Sequence, residues 1–287
     1  MSDDLTLATN TAPPRTRNRR QSPGGRSWLA TLLLLVLIGL AWEGAKLIFG
    51  VTDQKLPHLS AILKELITPT RGGAGPILAV TMIQNAGVTF GEALLGFGLG
   101  GLLGCVLAVI FASSRLLERG LLPFVVGSQT VPILAIAPMV VVGLGQLGAP
   151  DWLSKAVVAA YLTFFPVTIG MLRGLRSVPT DALDLMRSYA AGAGQTFWKL
   201  RLPAALPYLF TSLKVAATAS VIGAIVAELP AGSKSGIGVV LINAAQYYNS
   251  RPPVLYAAVL VAGSIGLLFY GAVALAEKLI VRERKAE

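Results

Sequence analysis

Long apolar runs separated by short polar segments dominate the pattern of this chain. Six runs have about the 20 residues that an α-helix needs to cross roughly 30 Å of hydrocarbon. They lie at residues 28–50, 89–112, 121–144, 153–172, 209–229 and 254–275. The pattern therefore predicts an all-α, polytopic membrane protein with six transmembrane helices. A short amphipathic helix is predicted at residues 60–67.

The two ends of the chain differ from this apolar body. Residues 1–27 hold three prolines and five arginines and are otherwise polar. They cannot bury a core, so we expect a disordered basic tail. Residues 28–280 form the transmembrane domain, and residues 281–287 form a short C-terminal tail.

The composition supports a lipid-facing surface. Charged residues make up 13% of the chain and hydrophobic residues 54%, with a mean hydropathy of +0.68. Soluble domains carry about 25% charged residues. The net charge of +10 does not indicate nucleic acid, because the cations lie at the ends of apolar runs and not on one face. One cysteine, Cys105, and one histidine, His58, argue against a disulfide, a metal site or a haem.

The cations also predict the orientation in the membrane. With the N-terminus in the cytoplasm, 17 of the 24 Lys and Arg residues fall on the inner side. The other seven are Lys46, Lys55, Lys64, Arg71, Lys155, Lys234 and Arg251. Cytoplasmic loops carry the excess of Lys and Arg, so both termini are predicted to be cytoplasmic.

Residues 184–208, DLMRSYAAGAGQTFWKLRLPAALPY, form a polar and basic island between two apolar runs. Short helices are predicted at 180–188 and 195–202, joined by the small residues of 190–194. Leu202-Pro203 is expected to close the element, because proline cannot continue a helix without losing a hydrogen bond. The orientation places the island in the cytoplasm. From the residues alone it is either a docking surface or an ordinary interfacial helix pair.

Some polar and small residues lie inside the apolar runs. A charged or polar group at membrane depth usually faces protein or a water-filled path, which makes Glu228 a candidate for lining such a path. Gln129 is a further candidate for the same reason. Pro132 and Pro138 are candidates because they interrupt the third run, and broken backbone is tolerated where it lines a cavity. Three G-x-x-x-G repeats, at 87/91, 96/100 and 100/104, predict close helix packing. The G-x-G-x-x-G at 143–148 lacks the βαβ context of a dinucleotide site.

The island resembles the EAA loop of ABC-importer permeases, which ends in a hydrophobic residue, any residue and Leu-Pro. Leu200, Leu202 and Pro203 match this ending; Asp184 stands where the family has Glu, and Ala190 where it usually has Gly. Residues 89–98, 131–138, 153–155, 164–166 and 174–177 resemble the nitrate/sulfonate/taurine branch of these permeases. The resemblance implies a coupling loop at about 176–208. The residues it assigns to ATPase coupling are Asp184, Arg187, Ser188, Ala190, Ala191, Gly192, Ala193, Gly194, Leu202 and Pro203.

The resemblance implies the permease fold of a type I importer in a bacterial inner membrane. Two permease chains would form the path, and two ATPase subunits would bind ATP and Mg²⁺ and dock on the loops. An extracytoplasmic binding protein would deliver a small solute such as a sulfonate, taurine, nitrate or a pyrimidine precursor. This chain would hold no cofactor and perform no chemistry. The alternatives are a membrane anchor that recruits a cytoplasmic partner and a secondary transporter, although the halves show no internal repeat.

Overall fold

The computed structural model describes residues 27–70, 74–230 and 233–281. Most of both predicted tails, residues 1–26 and 282–287, lies outside the described residues. The chain divides into two compact units, Met1–Val51 and Thr52–Glu287. The first unit contributes α1 (Ser27–Phe49), which is apolar and long enough to cross a membrane.

All other regular elements belong to the second unit, and in the described part of the chain none of them is a strand. They are α2 (Leu59–Leu66), α3 (Leu78–Ser113), α4 (Arg115–Gly127), a 3₁₀ turn (Ser128–Thr130), α5 (Ile133–Gln146), α6 (Asp151–Leu175), α7 (Thr180–Ser188), α8 (Ala193–Thr196), a π-helical turn (Phe197–Arg201), α9 (Leu202–Glu228), α10 (Ile237–Gln246) and α11 (Pro252–Ile280). The all-α prediction is confirmed, and α2 lies where the amphipathic helix was predicted.

Five helical segments can each cross a membrane by length and composition, and a bent pair makes a sixth span. That pair is Arg115–Thr130 followed by Ile133–Gln146, and its two parts meet at 96°. The predicted interruption of this third span is therefore confirmed at Pro132 and wrong at Pro138. Pro132 has no N–H group and its ring forces the residue before it into an extended conformation, so the helix ends there. Pro138, by contrast, lies inside α5 without breaking it.

Helix α6 lies between α3 and α9, and small residues bring the three backbones together. A Cβ atom on Gly100 would lie 2.4 Å from the carbonyl oxygen of Ala160, and Gly96 and Gly104 are equally tight against α6. Such close contact drives helix association where no hydrophobic effect operates. The packing prediction is thus confirmed for residues 96–104. At the first repeat, a Cβ atom built on Gly87 or Gly91 would have no atom of this chain within 4 Å, so these two glycines do not bring another helix of the chain close.

Candidate functional site

The polar island begins with α7, which ends in a turn that requires a left-handed residue. Ala190 has a φ of +50°, the only positive φ at a non-glycine position among the described residues. The N–H of Ala191 donates to the carbonyl of Met186 at 3.0 Å, and the N–H of Ala190 donates to that of Arg187 at 2.8 Å. These two bonds define a Schellman motif, in which a glycine is the usual residue at the left-handed position. The departure from the family pattern at Ala190 therefore falls at a strained position.

The loop presents an exposed surface on both sides of this turn. Asp184 and Arg187 pair at 2.8 Å, and both side chains are mostly in solvent. The Ser188 hydroxyl donates to the Leu185 carbonyl at 2.7 Å and so stays on the helix. Ala190, Gly192, Ala193 and Gly194 are exposed, and Ala191 is half-buried. The structure thus places the predicted coupling residues of α7 and the turn on one continuous stretch of surface.

Three large side chains on this surface were not among the predicted coupling residues. Leu185, Tyr189 and Trp198 are 56%, 76% and 68% exposed. Large apolar side chains grouped on a polar loop are typical of a surface that another protein covers. The signal was present in the sequence as aromatic residues on either side of a small, flexible turn.

The second half of the loop does not end where proline was predicted to end it. The chain passes from α8 through the π-helical turn directly into α9, so Ala193–Glu228 is one helical segment of 36 residues. The N–H of Leu202 donates to the Phe197 carbonyl five residues back. This wider turn accommodates Pro203, which has no N–H to donate, in the first turn of α9. The prediction that Leu202-Pro203 closes the element is wrong, because proline is compatible with the start of a helix.

Three of the predicted path residues lie along the broken span. Gln129 is exposed in the 3₁₀ turn, Pro132 is exposed at the start of α5, and Pro138 is exposed two turns further along the helix. The hydroxyl of Tyr161 on α6 donates to the backbone carbonyl of Ser128. This bond satisfies a carbonyl next to the interruption and connects the bend to the central helix.

Glu228, the fourth predicted path residue, lies elsewhere and is buried. One carboxylate oxygen accepts from the Thr89 hydroxyl at 2.6 Å, and the other accepts from the N–H of Gly238 at 2.5 Å. The two preceding backbone N–H groups donate at 2.8 Å to the side-chain oxygens of Thr89 and Asn85. Asn85, Thr89 and Glu228 therefore satisfy the free N–H groups at the start of α10, and we call these three side chains the α10 anchor.

A buried ion pair adjoins the α10 anchor. Lys155 is fully buried, and its Nζ lies 3.1 Å from Glu92 and 2.8 Å from Asp151. Helix α6 begins at Asp151, two residues before the predicted run at 153–172, and Lys155 lies one turn inside the helix. Asn85, Thr89 and Glu92 are spaced by four and three residues, which places them on one face of α3. That spacing is the sequence signal that would have revealed the network.

The described residues hold no group of three or more His, Cys, Asp or Glu side chains that could bind a metal ion. Gly143 and Gly145 lie within α5, so the glycine-rich segment at 143–148 has no strand before it.

A bundle of helices able to cross a membrane, one of them broken, together with an exposed helix–turn–helix loop, defines the class of polytopic membrane proteins. Residues 100–282 match the family described as "Binding-protein-dependent transport system inner membrane component", and the chain belongs to this family. It is the permease component of an ABC importer and a multi-pass membrane protein. Family membership decides against the anchor and secondary-transporter alternatives.

Three curated relatives illustrate the resemblance. The "Probable ABC transporter permease protein" of Haemophilus influenzae is 33% identical over 84% of this chain and 92% of its own. The "Formylaminopyrimidine transport permease protein ThiX" of Halalkalibacterium halodurans is 31% identical over 67% of this chain and 74% of its own. The "Putative aliphatic sulfonates transport permease protein SsuC" of Bacillus subtilis is 29% identical over 93% and 92%.

Among solved structures, a chain of the MetNI methionine ABC transporter in an inward-facing conformation has the same fold. Its TM-score is 0.57 at 17% identity, and the match covers 71% of this chain and 98% of that chain. At this level of identity the likeness establishes the fold.

Proposed function

We propose that this chain forms the translocation path of an ATP-driven importer for a small solute and that residues 176–208 couple it to a separate ATPase. The observation that carries this proposal is the exposed loop that continues without a break into a membrane-crossing helix. The names of relatives include permeases for aliphatic sulfonates and for formylaminopyrimidine, which supports a small organic solute as cargo.

The shape of the loop supports docking into a groove of a partner. The residues of the turn have short side chains, which lets the backbone approach a facing surface closely. Tyr189 and Trp198 flank the turn and are exposed. Exposed aromatic side chains are the usual anchors of protein–protein interfaces. The side chains of the Asp184–Arg187 pair are exposed to solvent on α7. An exposed ion pair contributes little to stability, but it can contribute to the specificity of partner binding.

The continuity of the helix supports mechanical coupling. At 1.5 Å per residue, the 36 residues of Ala193–Glu228 span about 54 Å. The loop lies at one end of this segment and Glu228 at the other. A displacement of the loop by the ATPase therefore moves the side chain that holds the start of α10. In this proposal Glu228 acts on the path through α10, and Gln129, Pro132 and Pro138 line it from the broken span.

The complete importer in this proposal contains two permease chains, two ATPase subunits that bind ATP and Mg²⁺, and an extracytoplasmic binding protein. The permease itself holds no cofactor and catalyses no reaction. Both termini and the loop face the cytoplasm, as the distribution of Lys and Arg predicts. A cysteine replacing Ser188 should then be labelled only from the cytoplasm, and one replacing Asn249 only from outside, in a Cys105→Ala background. Labelling of position 188 from outside would overturn the proposed orientation.

The coupling role is tested by ATP hydrolysis in vesicles that contain this chain, its co-purifying ATPase and its binding protein. Gly192 immediately precedes α8 and is exposed, and a Cβ built on it has nothing within 4 Å, so Gly192→Glu should fold normally. We expect this variant to lose stimulation of ATP hydrolysis by the loaded binding protein. The control is Gly120→Glu, which places the same charge at an equally open glycine in α4. Full stimulation in Gly192→Glu, or equal loss in the control, would argue against the coupling role of the loop.

A further inference from the structure

A large cavity opens at the end of the bundle that carries the loop, between the end of α3, α4, the end of α6, α7 and the π-helical turn. Its volume is about 1020 Å³. Four arginines line it, namely Arg115, Arg119, Arg176 and Arg201, together with one carboxylate, Glu118. Apolar side chains, among them Leu122, Val126 and Leu183, form the remaining wall. Arg176, Leu183 and Arg201 belong to the proposed coupling loop, although none of the individually predicted coupling or path residues lines this cavity.

The positive charge of the cavity is only partly compensated. Arg176 holds Glu118 through both carboxylate oxygens, with its Nη1 at 2.5 Å from Oε1. Arg115, Arg119 and Arg201 pair with no acidic side chain in the part of the chain that the structure describes. Arg115 and Arg119 are one turn apart and therefore on the same face of α4. Among the described residues, the cavity thus has one arginine in an ion pair and three arginines with no carboxylate within 4 Å.

We propose that this cavity binds an oxyanion, through its sulfonate, phosphate or carboxylate group, with Arg119 and Arg201 as the principal contacts. A guanidinium presents paired N–H donors that match two oxygens of such a group, and charge-assisted bonds of this type are strong. The apolar wall accommodates a hydrocarbon portion attached to the anion. Two sources supply this chemistry: a soluble anion, and the phosphate of an anionic lipid, which basic pockets between membrane helices also bind.

The two sources are distinguished by binding measurements on the intact chain in nanodiscs. In nanodiscs of phosphatidylcholine alone, methanesulfonate and inorganic phosphate are titrated by calorimetry. In nanodiscs that mix phosphatidylglycerol with phosphatidylcholine, retention of each lipid is measured by native mass spectrometry. Binding of a soluble probe assigns the site to a free anion, and selective retention of phosphatidylglycerol without probe binding assigns it to a lipid headgroup. Neither measurement needs an ATPase or transport, so its failure leaves the proposed function unaffected.

The decisive variant is Arg119→Gln with Arg201→Gln. Loss of two charge-assisted contacts should weaken binding of the probe or of phosphatidylglycerol at least about tenfold. The control is Lys199→Gln with Lys278→Gln, which removes the same charge from exposed positions at the same end of the bundle and leaves the cavity intact. Leu183→Glu is a second test that keeps all four arginines, because it adds a competing carboxylate to the wall and should weaken binding similarly.

Three results would overturn the proposal. The first is that wild-type chain binds neither probe and retains both lipids equally. The second is that the control variant weakens binding as much as the arginine variant, which would indicate a general charge effect. The third is that the arginine variant loses its co-purifying ATPase while binding of anion and lipid is unchanged, which would assign these arginines to ATPase docking.

Discussion

Replacing Ala190 with glycine should stabilise the loop between α7 and α8. Ala190 adopts a φ of +50° because the two hydrogen bonds of the Schellman motif require it. A left-handed conformation costs a residue with a Cβ atom about 1–2 kcal/mol. Glycine avoids this cost but loses about 0.4–1 kcal/mol through the greater freedom of the unfolded chain. The expected net gain is therefore about 1 kcal/mol.

Hydrogen exchange of the loop amides is the suitable assay, since exchange reports local opening. The N–H groups of Ala190 and Ala191 are the donors of the motif. A gain of about 1 kcal/mol should slow their exchange about fivefold, because 1.4 kcal/mol corresponds to tenfold. Peptides from α11, which does not contain the motif, should exchange at the wild-type rate.

The matched control is Ala191→Gly at the next position. Ala191 has a negative φ, so glycine there relieves no strain and only adds freedom to the unfolded chain. Exchange in this variant should become faster. The reasoning is refuted if Ala190→Gly leaves exchange unchanged, or if Ala191→Gly slows it to the same extent.

Three further predictions concern the packed part of the bundle. Gly236→Ala should abolish the yield of folded chain in size-exclusion chromatography, because Gly236 has a φ of +117° and a Cβ would lie 2.2 Å from the carboxyl carbon of Glu228; wild-type yield would contradict the geometry of the α10 anchor. Glu228→Ala should destabilise the chain by roughly 2–5 kcal/mol in thermal unfolding in detergent, because it leaves buried donors unpaired. Glu228→Gln keeps an acceptor and should cost about 1 kcal/mol in the same assay. Equal losses would show that the hydrogen bonds are not the cause. Gly100→Leu should cost at least about 1–3 kcal/mol, because the larger side chain overpacks against α6. Leucine at the exposed Gly98 should change stability by less than about 0.5 kcal/mol in the same assay. Similar values for both would refute the packing of α3 on α6.

The number and order of the spans could be predicted from the sequence, because each apolar run is long enough to be recognised as a membrane-crossing helix. The sequence also located α7 at residues 180–188, since a polar segment with helical propensity stands out between apolar runs. The bend at Pro132 was suspected, but its size was not predictable. The two parts meet at 96°, and the hydroxyl of Tyr161 on α6 donates to the Ser128 carbonyl beside the bend, 33 positions away in sequence.

Two elements were missed for a different reason. Helix α3 begins at Leu78, 11 residues before the predicted start at 89, because Asn85 and other polar residues lower the apparent hydropathy there. Helix α10 has 10 residues and is too short to register as a span. Both elements are joined by hydrogen bonds between a side chain of one and the backbone of the other, as when the Asn85 side chain on α3 accepts from the N–H of Gly236 at the start of α10. A pattern of single residues cannot reveal such pairs, because their partners are more than 100 positions apart.

The unbroken helical segment Ala193–Glu228 limits where residues can be inserted into this chain or deleted from it. Each residue of an α-helix is rotated by about 100° around the helix axis relative to the residue before it. One residue inserted anywhere in the segment would rotate Glu228 by that angle relative to the loop and carry it away from Thr89. Three or four inserted residues would approximately restore the angle but displace the two ends by about 5 Å. Insertions and deletions in this subunit are therefore expected to accumulate in the loops between its helices. The angle about the helix axis between the coupling loop and Glu228 of the α10 anchor should stay the same.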